Sequence, residues 1–253
     1  ERSRGLGDVY KRQAMSNQVY VCQFALDRVQ QYDMEASVKG SGLMYPEIRG
    51  ILGIGLETET PEVKEKKKKY FPFALELEKT NHFAIQSKII PNALWVGIYQ
   101  NEAIKLPTHE DYIFSIWSGG RIFNPSCAAI LKQHRLGENI LTPVQIYDLS
   151  TGCLASDETY YFLNLYERRM CVCETQTTPR LKPRPYIAHG FRIAKSVFND
   201  GELNIDKHAL NCDVDLWHDR RLLGHFFMSA NLHDALSEAG MIDKFKPYTC
   251  NLV

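Results

Sequence analysis

With 253 residues the chain is long enough for one large domain or two small ones, each with a true apolar core. Its 44% hydrophobic and 24% charged residues are ordinary for a soluble globular protein, and no run approaches the ~20 apolar residues of a membrane helix. Thirty basic residues against thirty acidic ones give a formal net charge of zero, which offers no support to a general nucleic-acid binder.

In the first fourteen residues Arg2, Arg4, Lys11 and Arg12 stand against Glu1 and Asp8, so the remainder holds 26 basic and 28 acidic groups. This tract is polar, without periodicity and without a signal-peptide pattern. It reads as an adapter-derived, non-native tail with Met15 as the true start. Residues 1–14 are expected to pack against nothing, and the protein is expected in the cytoplasm. The seven cysteines, at positions 22, 127, 153, 171, 173, 212 and 250, are odd in number and lack the spacing of a disulfide framework. Reduced thiols are the simpler account.

Val19 to Phe24 reads as the first strand. Residues 40–61 are Gly-rich, but Gly53-Ile54-Gly55 lacks the third glycine and the Lys-Ser/Thr pair of a phosphate loop, so a plain loop is expected. Glu62 to Lys69, with five lysines, is a solvated helix or loop. Tyr70 to Glu78, His82 to Ser87, Ala93 to Tyr99 and Tyr112 to Trp117 have the composition of strands, the last ended by Gly119-Gly120.

A short strand at Arg121 to Phe123 leads into Asn124, a good helix cap, and Pro125 at the first helical position. Cys127, Ile130, Leu131 and His134 then fall on one helical stripe, and Gly137 is read as the stop. Ile140 to Asp148 resumes an extended pattern. After the turn Ser150-Thr151-Gly152, Glu158 to Tyr166 is expected to return as its hairpin partner. Pro179 to Pro185 holds three prolines and must be a loop or edge segment. Phe191 to Phe198 reads as a strand and Ile205 to Asn211 as a short helix.

Phe226-Phe227-Met228 is a further strand. Ser229 can cap a helix whose stripe is Leu232, Ala235, Leu236 and Ala239, Gly240 can close it, and Ile242 to Tyr248 reads as the next strand. Aligning Asn124 with Ser229 places Cys127 on Leu232, Ile130 on Ala235 and Leu131 on Leu236, an internal repeat. The expected fold is therefore α+β: a mixed, largely antiparallel sheet with short flanking helices and two similar strand-helix-strand units, around 121–148 and 226–248. Residues 15–120 form a β-rich part with a Gly/Lys-rich insert at 40–69. Residues 121–253 are expected to be continuous with it.

Catalytic and metal patterns are weak. Cys171-x-Cys173, with Cys153, Cys212 and His189 elsewhere, misses the spacing of structural zinc ligands; its two thiols are expected on one face of an apolar strand. His189 or His225 with a cysteine has no accompanying nucleophile signature. His109-Glu110-Asp111 and His218-Asp219 read as polar turns flanking strands. No catalytic residue, metal or cofactor is expected. A stronger feature is the acidic stretch Asp200, Glu202, Asp206, Asp213, Asp215 and Asp219, set against Lys207 alone. It reads either as a docking surface for a basic partner or as a solvated loop. Trp217, inside it, is an interface anchor if exposed and core otherwise.

Leu216-Trp217-His218-Asp219-Arg220-Arg221-Leu222, followed by Gly224-His225-Phe226-Phe227-Met228-Ser229, resembles a sequence block of immunity protein family eleven of bacterial polymorphic toxin systems. Ala235 to Gly240, Gln145 to Asp148 and Tyr160 to Leu165 are similar to further blocks of that family, so the resemblance spans roughly Ile122 to Tyr248. It implies a non-enzymatic protein that binds and neutralises a cognate toxin domain. Toxins of this kind are often basic nucleases, which would suit the acidic stretch, with Asp200, Glu202, Asp206, Asp213, Asp215, Trp217 and Asp219 as contact residues. Two other classes stay open. One is a small cytoplasmic hydrolase or transferase using a Cys or His. The other is a structural or regulatory subunit whose edge strand pairs with a partner.

Overall fold

The computed structural model describes residues 17–23, 32–37, 60–70, 90–97, 104–116, 119–173, 181–183, 191–193, 198–222 and 224–253. The expectations for the tail 1–14, for most of the insert at 40–69 and for strands at 71–78 and 82–87 lie outside them. The described chain is α+β, with short helices and mixed sheets whose pairings are largely antiparallel. By contact density it divides into an inner unit, Leu26–Ala129 with Ile140–Tyr166, and a terminal unit, Glu1–Ala25 with Ile130–Asn139 and Glu167–Val253.

The inner unit holds β2 (Met34–Ser37), the helix α1 (Pro61–Tyr70), β3 (Ala93–Val96), β4 (Ile113–Ser115), β5 (Arg121–Phe123), the start of α2 (Pro125–Lys132), β6 (Ile140–Asp148) and β7 (Tyr160–Asn164). Its sheet runs β2-β3-β6-β7-β5-β4. A boundary at 120/121 would fall inside this sheet, because β4 and β5 are hydrogen-bonded neighbours. α1 is the solvated lysine helix, with exposed ion pairs Glu62–Lys66 and Glu65–Lys68. The β6–β7 hairpin forms in antiparallel register, Thr142 opposite Phe162. Pro143 sits on β6 without harm because β3 pairs only with Gln145–Asp148, leaving that side of β6 unpaired at Pro143. The turn at 150–152 is held by Asp148, which accepts from Ser150 N (2.6 Å), Ser150 Oγ and Thr151 Oγ1. Behind the sheet lies an aromatic core that includes Trp95, Phe114, Ile122, Tyr160 and Phe162.

The terminal unit holds β1 (Val19–Cys22), β8 (Leu181–Pro183), β9 (Phe191–Ile193), β10 (Leu203–Ile205), a 3-10 turn (Lys207–Asn211), β11 (Leu216–Trp217), β12 (Phe226–Ser229), α3 (Ala230–Glu238), a second 3-10 turn (Asp243–Phe245) and β13 (Tyr248–Leu252). Its main sheet runs β10-β13-β1-β12-β11. Alternate residues of β1 point to opposite faces. Val19 and Val21 join a core with Phe198, Leu203, Trp217 and Phe227, while Cys22 lies opposite Phe226 on the face beneath α3. The segment Glu167–Cys173 touches both outer strands: Arg168 bridges to His218 just past β11, and Val172 bridges to Ile205 in β10. Cys173 N donates to Asn204 O and Asp206 N to Cys171 O. The sheet is thus curled into a barrel-like ring, which removes its open edges. β8 and β9 form a separate antiparallel pair, so Leu181–Pro183, the described part of the proline-bearing stretch, is an edge strand.

Both strand-helix-strand units are present, with two corrections. Asn124 Oδ1 caps α2 at Cys127 N (2.9 Å) and Ser229 Oγ caps α3 at Leu232 N (3.3 Å). α2, however, stops at Lys132 and not at Gly137, because Arg135 N donates to Asp215 Oδ2 (2.9 Å) rather than continuing the helix. Gly137, with φ 60°, turns the loop that follows. Gly240, with φ 69°, does close α3, and Met241 N reaches Leu236 O (2.8 Å). The strand expected over Ile242–Tyr248 lies later, at Tyr248–Leu252. Ile242 begins a 3-10 turn that drives Phe245 into the interior against Phe226, and Lys246 takes a left-handed conformation (φ 43°) before the chain extends. Phe198 is a separate core residue beyond β9.

Candidate functional site

The acidic stretch lies wholly in the terminal unit, and the fold splits it in two. Asp215, Trp217 and Asp219 are buried, at 3%, 1% and 1% exposure. Trp217 stacks on Phe227 with centroids 5.9 Å apart, inside the core. These three are corrected from contact residues to interior residues, for a physical reason: an isolated buried carboxylate is too costly unless donors surround it, and both aspartates are surrounded.

Asp215 accepts from Arg135 N, Nε and Nη2 and from Ser229 Oγ (2.7 Å). Burial alone would raise its pKa, but the hydrogen bonds from Arg135 and Ser229 outweigh that and hold it below the usual carboxylate range. Asp219 accepts from Cys171 N, Val172 N, Arg221 N, Arg221 Nε and Arg221 Nη2 (2.7 Å). Burial again pushes upward and is again overcome, by Arg221 first. Glu167, also buried, accepts from Glu138 N and Arg169 Nη1, both at 2.6 Å. Each carboxylate ties loops that are far apart in sequence. His218 is no turn residue: its N–H donates to Glu167 O and its carbonyl accepts from Arg169 N. Burial, aided by the nearby Arg168 charge, pushes its imidazole down to about 4.

The other four acids sit around β10 and the 3-10 turn after it. Asp200 accepts from Thr249 N (2.7 Å) and Oγ1, and Glu202 from Asn199 N and Nδ2. Asp206 caps the 3-10 turn at His208 N (2.8 Å) and meets the His208 ring. Asp213 pairs with Arg169 Nη2 (2.9 Å). These bonds hold the pKa of Asp206, through the His208 backbone, and of Asp213, through Arg169, below the ordinary carboxylate value. Asp200 and Asp213 are exposed, Glu202 and Asp206 half-buried. All four, here called the carboxylate rim, remain reachable from solvent.

Five of the thiols are held in the protonated form by burial. Burial pushes Cys22 and Cys250 far up, Cys171 to about 12, and raises Cys173 and Cys212 as well. Cys171 is buried and Cys173 half-exposed, in a segment where Val172 bridges to Ile205 of β10. A cavity of about 50 Å³ is lined by Arg135, Cys212, Trp217, Ser229 and Asn231 among others. It has room for a water or two but not for a substrate, whose pockets run to several hundred Å³. His109 and Asp111 form the expected turn before β4, where Asp111 accepts from Thr108 and from the Tyr32 hydroxyl.

Arg135, Asn139, Glu167 and Arg169, which complete the network, carry no local signal. Arg135 meets a partner 80 residues away, and Asn139 Nδ2 donates to Leu216 O across a similar separation. The chain matches no model of a known protein family and no curated protein. Among the described residues no helix is long and apolar enough to cross a membrane.

Proposed function

We propose that this chain is an immunity protein that binds and neutralises a cognate bacterial toxin by protein–protein contact, in the cytoplasm of the cell that makes the toxin. The observation that carries the reading is the partition of charge in the terminal unit. Its interior carboxylates are saturated by arginines and backbone N–H groups, whereas Asp200, Glu202, Asp206 and Asp213 stay at the surface on a rigid frame. Negative groups held in place by their own backbone bonds lose little entropy on meeting a basic partner, and they steer its approach. The sequence blocks that resemble immunity family eleven fall on β6 and β7 of the inner unit and on β11, β12 and α3 of the terminal unit, the unit that carries this rim.

The contact residues of this proposal are the four surface acids. Asp215, Trp217 and Asp219 act beneath them as positioning residues. Burial counts against Cys22, Cys171 and Cys250 as nucleophiles, and the closed ring counts against pairing through an edge of this sheet.

The test uses the product of the reading frame immediately upstream of this chain's gene, where an immunity protein's toxin would be encoded. Co-expression should protect cells from growth arrest, and calorimetry should show a one-to-one complex. The quadruple variant Asp200→Asn, Glu202→Gln, Asp206→Asn and Asp213→Asn keeps the capping oxygens while removing four charges. It should weaken binding at least about tenfold and flatten its salt dependence. Failure of the wild type to bind or protect overturns the immunity reading; unchanged affinity of the quadruple variant overturns the rim alone.

A further inference from the structure

The repeat seen in the sequence covers one helix and its two strands, but the sheets agree much further. In the inner unit the chain order β3, β4, β5, α2, β6, β7 gives the spatial order β3-β6-β7-β5-β4, with β2 added outside β3. Within those five strands β3–β6 is the parallel pair; β6–β7, β7–β5 and β5–β4 are antiparallel. In the terminal unit the spatial order is β10-β13-β1-β12-β11. There β10–β13 is the parallel pair, and β13–β1, β1–β12 and β12–β11 are antiparallel. Place for place and direction for direction the two arrangements coincide. The single difference is the middle strand. β7 follows β6 through a hairpin, whereas its counterpart β1 comes from the other end of the chain.

We infer that the protein consists of two copies of one five-stranded α+β unit, and that the second copy is completed by a donor strand, β1, delivered from the front of the chain into a slot between β12 and β13. The register supports this. Tyr20 lies opposite Thr249 and Val21 opposite Tyr248, so the antiparallel ladder read backward brings the start of β1 beside the end of β13. Gln18 Nε2 donates to Cys250 O at 3.0 Å there. By that register Asn17 falls opposite Leu252, so a short hairpin loop through Val253 could join β13 to β1, where the inner copy joins β6 to β7 by the longer connection 149–159. The slot is selective: it takes Val19 and Val21 on the core face and Cys22 on the α3 face, all three fully buried. Strand addition of this kind draws its hold from backbone pairing and its specificity from alternate side chains. β1 is then a clasp that makes the last third of the chain depend on its first residues. This inference does not rest on the toxin-binding reading.

The experiment moves residues 17–23 from the front of the chain to follow Val253 through an Asn-Gly turn, so that the permuted protein starts at residue 24. Hydrogen exchange is followed at β12 and β13, with β6 and β7 as the internal reference. The permuted protein should protect β12 and β13 as the native-order protein does. The same permutant carrying Val19→Asp and Val21→Asp should lose that protection while β6 and β7 keep theirs. Loss of β12 and β13 protection in the unsubstituted permutant overturns the inference, since the strand would then need its native connection. So does full protection in the substituted permutant, since the slot would not be reading the strand.

Discussion

The two units share a strand plan and differ in what fills them. The inner unit is closed by aromatic contacts: Phe114 meets Tyr32 and Tyr160 edge-on, and Trp95 lies 5.3 Å from Tyr147. Its buried cation, Arg121, donates to Gly119 O, and burial lowers its pKa to about 10. Among the described residues, the terminal unit instead buries three carboxylates, each against an arginine. Apolar contacts hold strands that already lie side by side. Arginine–carboxylate pairs hold loops that strand pairing does not reach, and they do so only while ionised. The same topology therefore carries two different sensitivities to charge.

The hardest way to break this contrast is to remove one buried partner. Asp219→Ala leaves Arg221, itself mostly buried, without its anion, and loss of one member of such a pair costs about 3–5 kcal/mol. Hydrogen exchange should show β12 and β13 exposed at denaturant concentrations where β6 and β7 remain protected. Equal loss in both units would erase the distinction.

Acid should act in the same direction, on the order of 3 kcal/mol from His218 alone. Its folded pKa, about 4, lies below the unfolded value near 6.5, so the unfolded chain takes up the proton first. Stability is full above pH 6.5 and falls as the pH drops towards 4. Asp215 and Asp219, depressed in the fold, contribute above their unfolded pKa near 4 and lose that contribution as the pH falls further. Thermal melts between pH 7 and 4 should slope downward, and His218→Gln should flatten the slope. An unchanged slope would assign the acid response to other groups.

The glycines give a finer comparison. A Cβ at Gly137 would run into the Glu167 carboxylate and lie 2.6 Å from Val214 Cγ1, on a backbone already at positive φ, so Gly137→Ala should cost about 3 kcal/mol. Gly240 has the same backbone sign with nothing within 4 Å, and Gly240→Ala should cost only about 1 kcal/mol. Denaturant midpoints for the pair separate packing from backbone strain. Of similar size are the helix caps: loss of the cap itself in Asn124→Ala or Ser229→Ala should cost about 1 kcal/mol. A marked inequality would mean that one of them does more than cap, and Ser229, which also donates to Asp215, is the one to watch.

Elements built from local chemistry were legible. Asn124-Pro125 and Ser229 mark helix starts because a cap needs only its own first turn. The β6–β7 hairpin shows in two apolar runs about a short polar turn. Ile242–Phe245 misled because an apolar run plugs a turn as readily as it builds a strand; what separates the two is whether the interior has a place for Phe245. Of the acidic stretch the sequence showed the charge but not its sorting. Asp213 and Asp215 are two residues apart, one exposed and one buried, and the difference lies in Arg135 at the end of a helix 80 residues earlier.

The sequence by itself determined the class of fold, the positions of α2 and α3, and the repetition of one strand-helix-strand unit, since propensity, capping and alternation act over a few residues. Tertiary structure alone decided which carboxylates go inside, how Glu167–Cys173 closes the ring, and that β1 fills the gap between β12 and β13. Those outcomes depend on donors and strand edges meeting across 29 to 232 residues of chain, a distance over which local pattern carries no information and only the assembled geometry can choose.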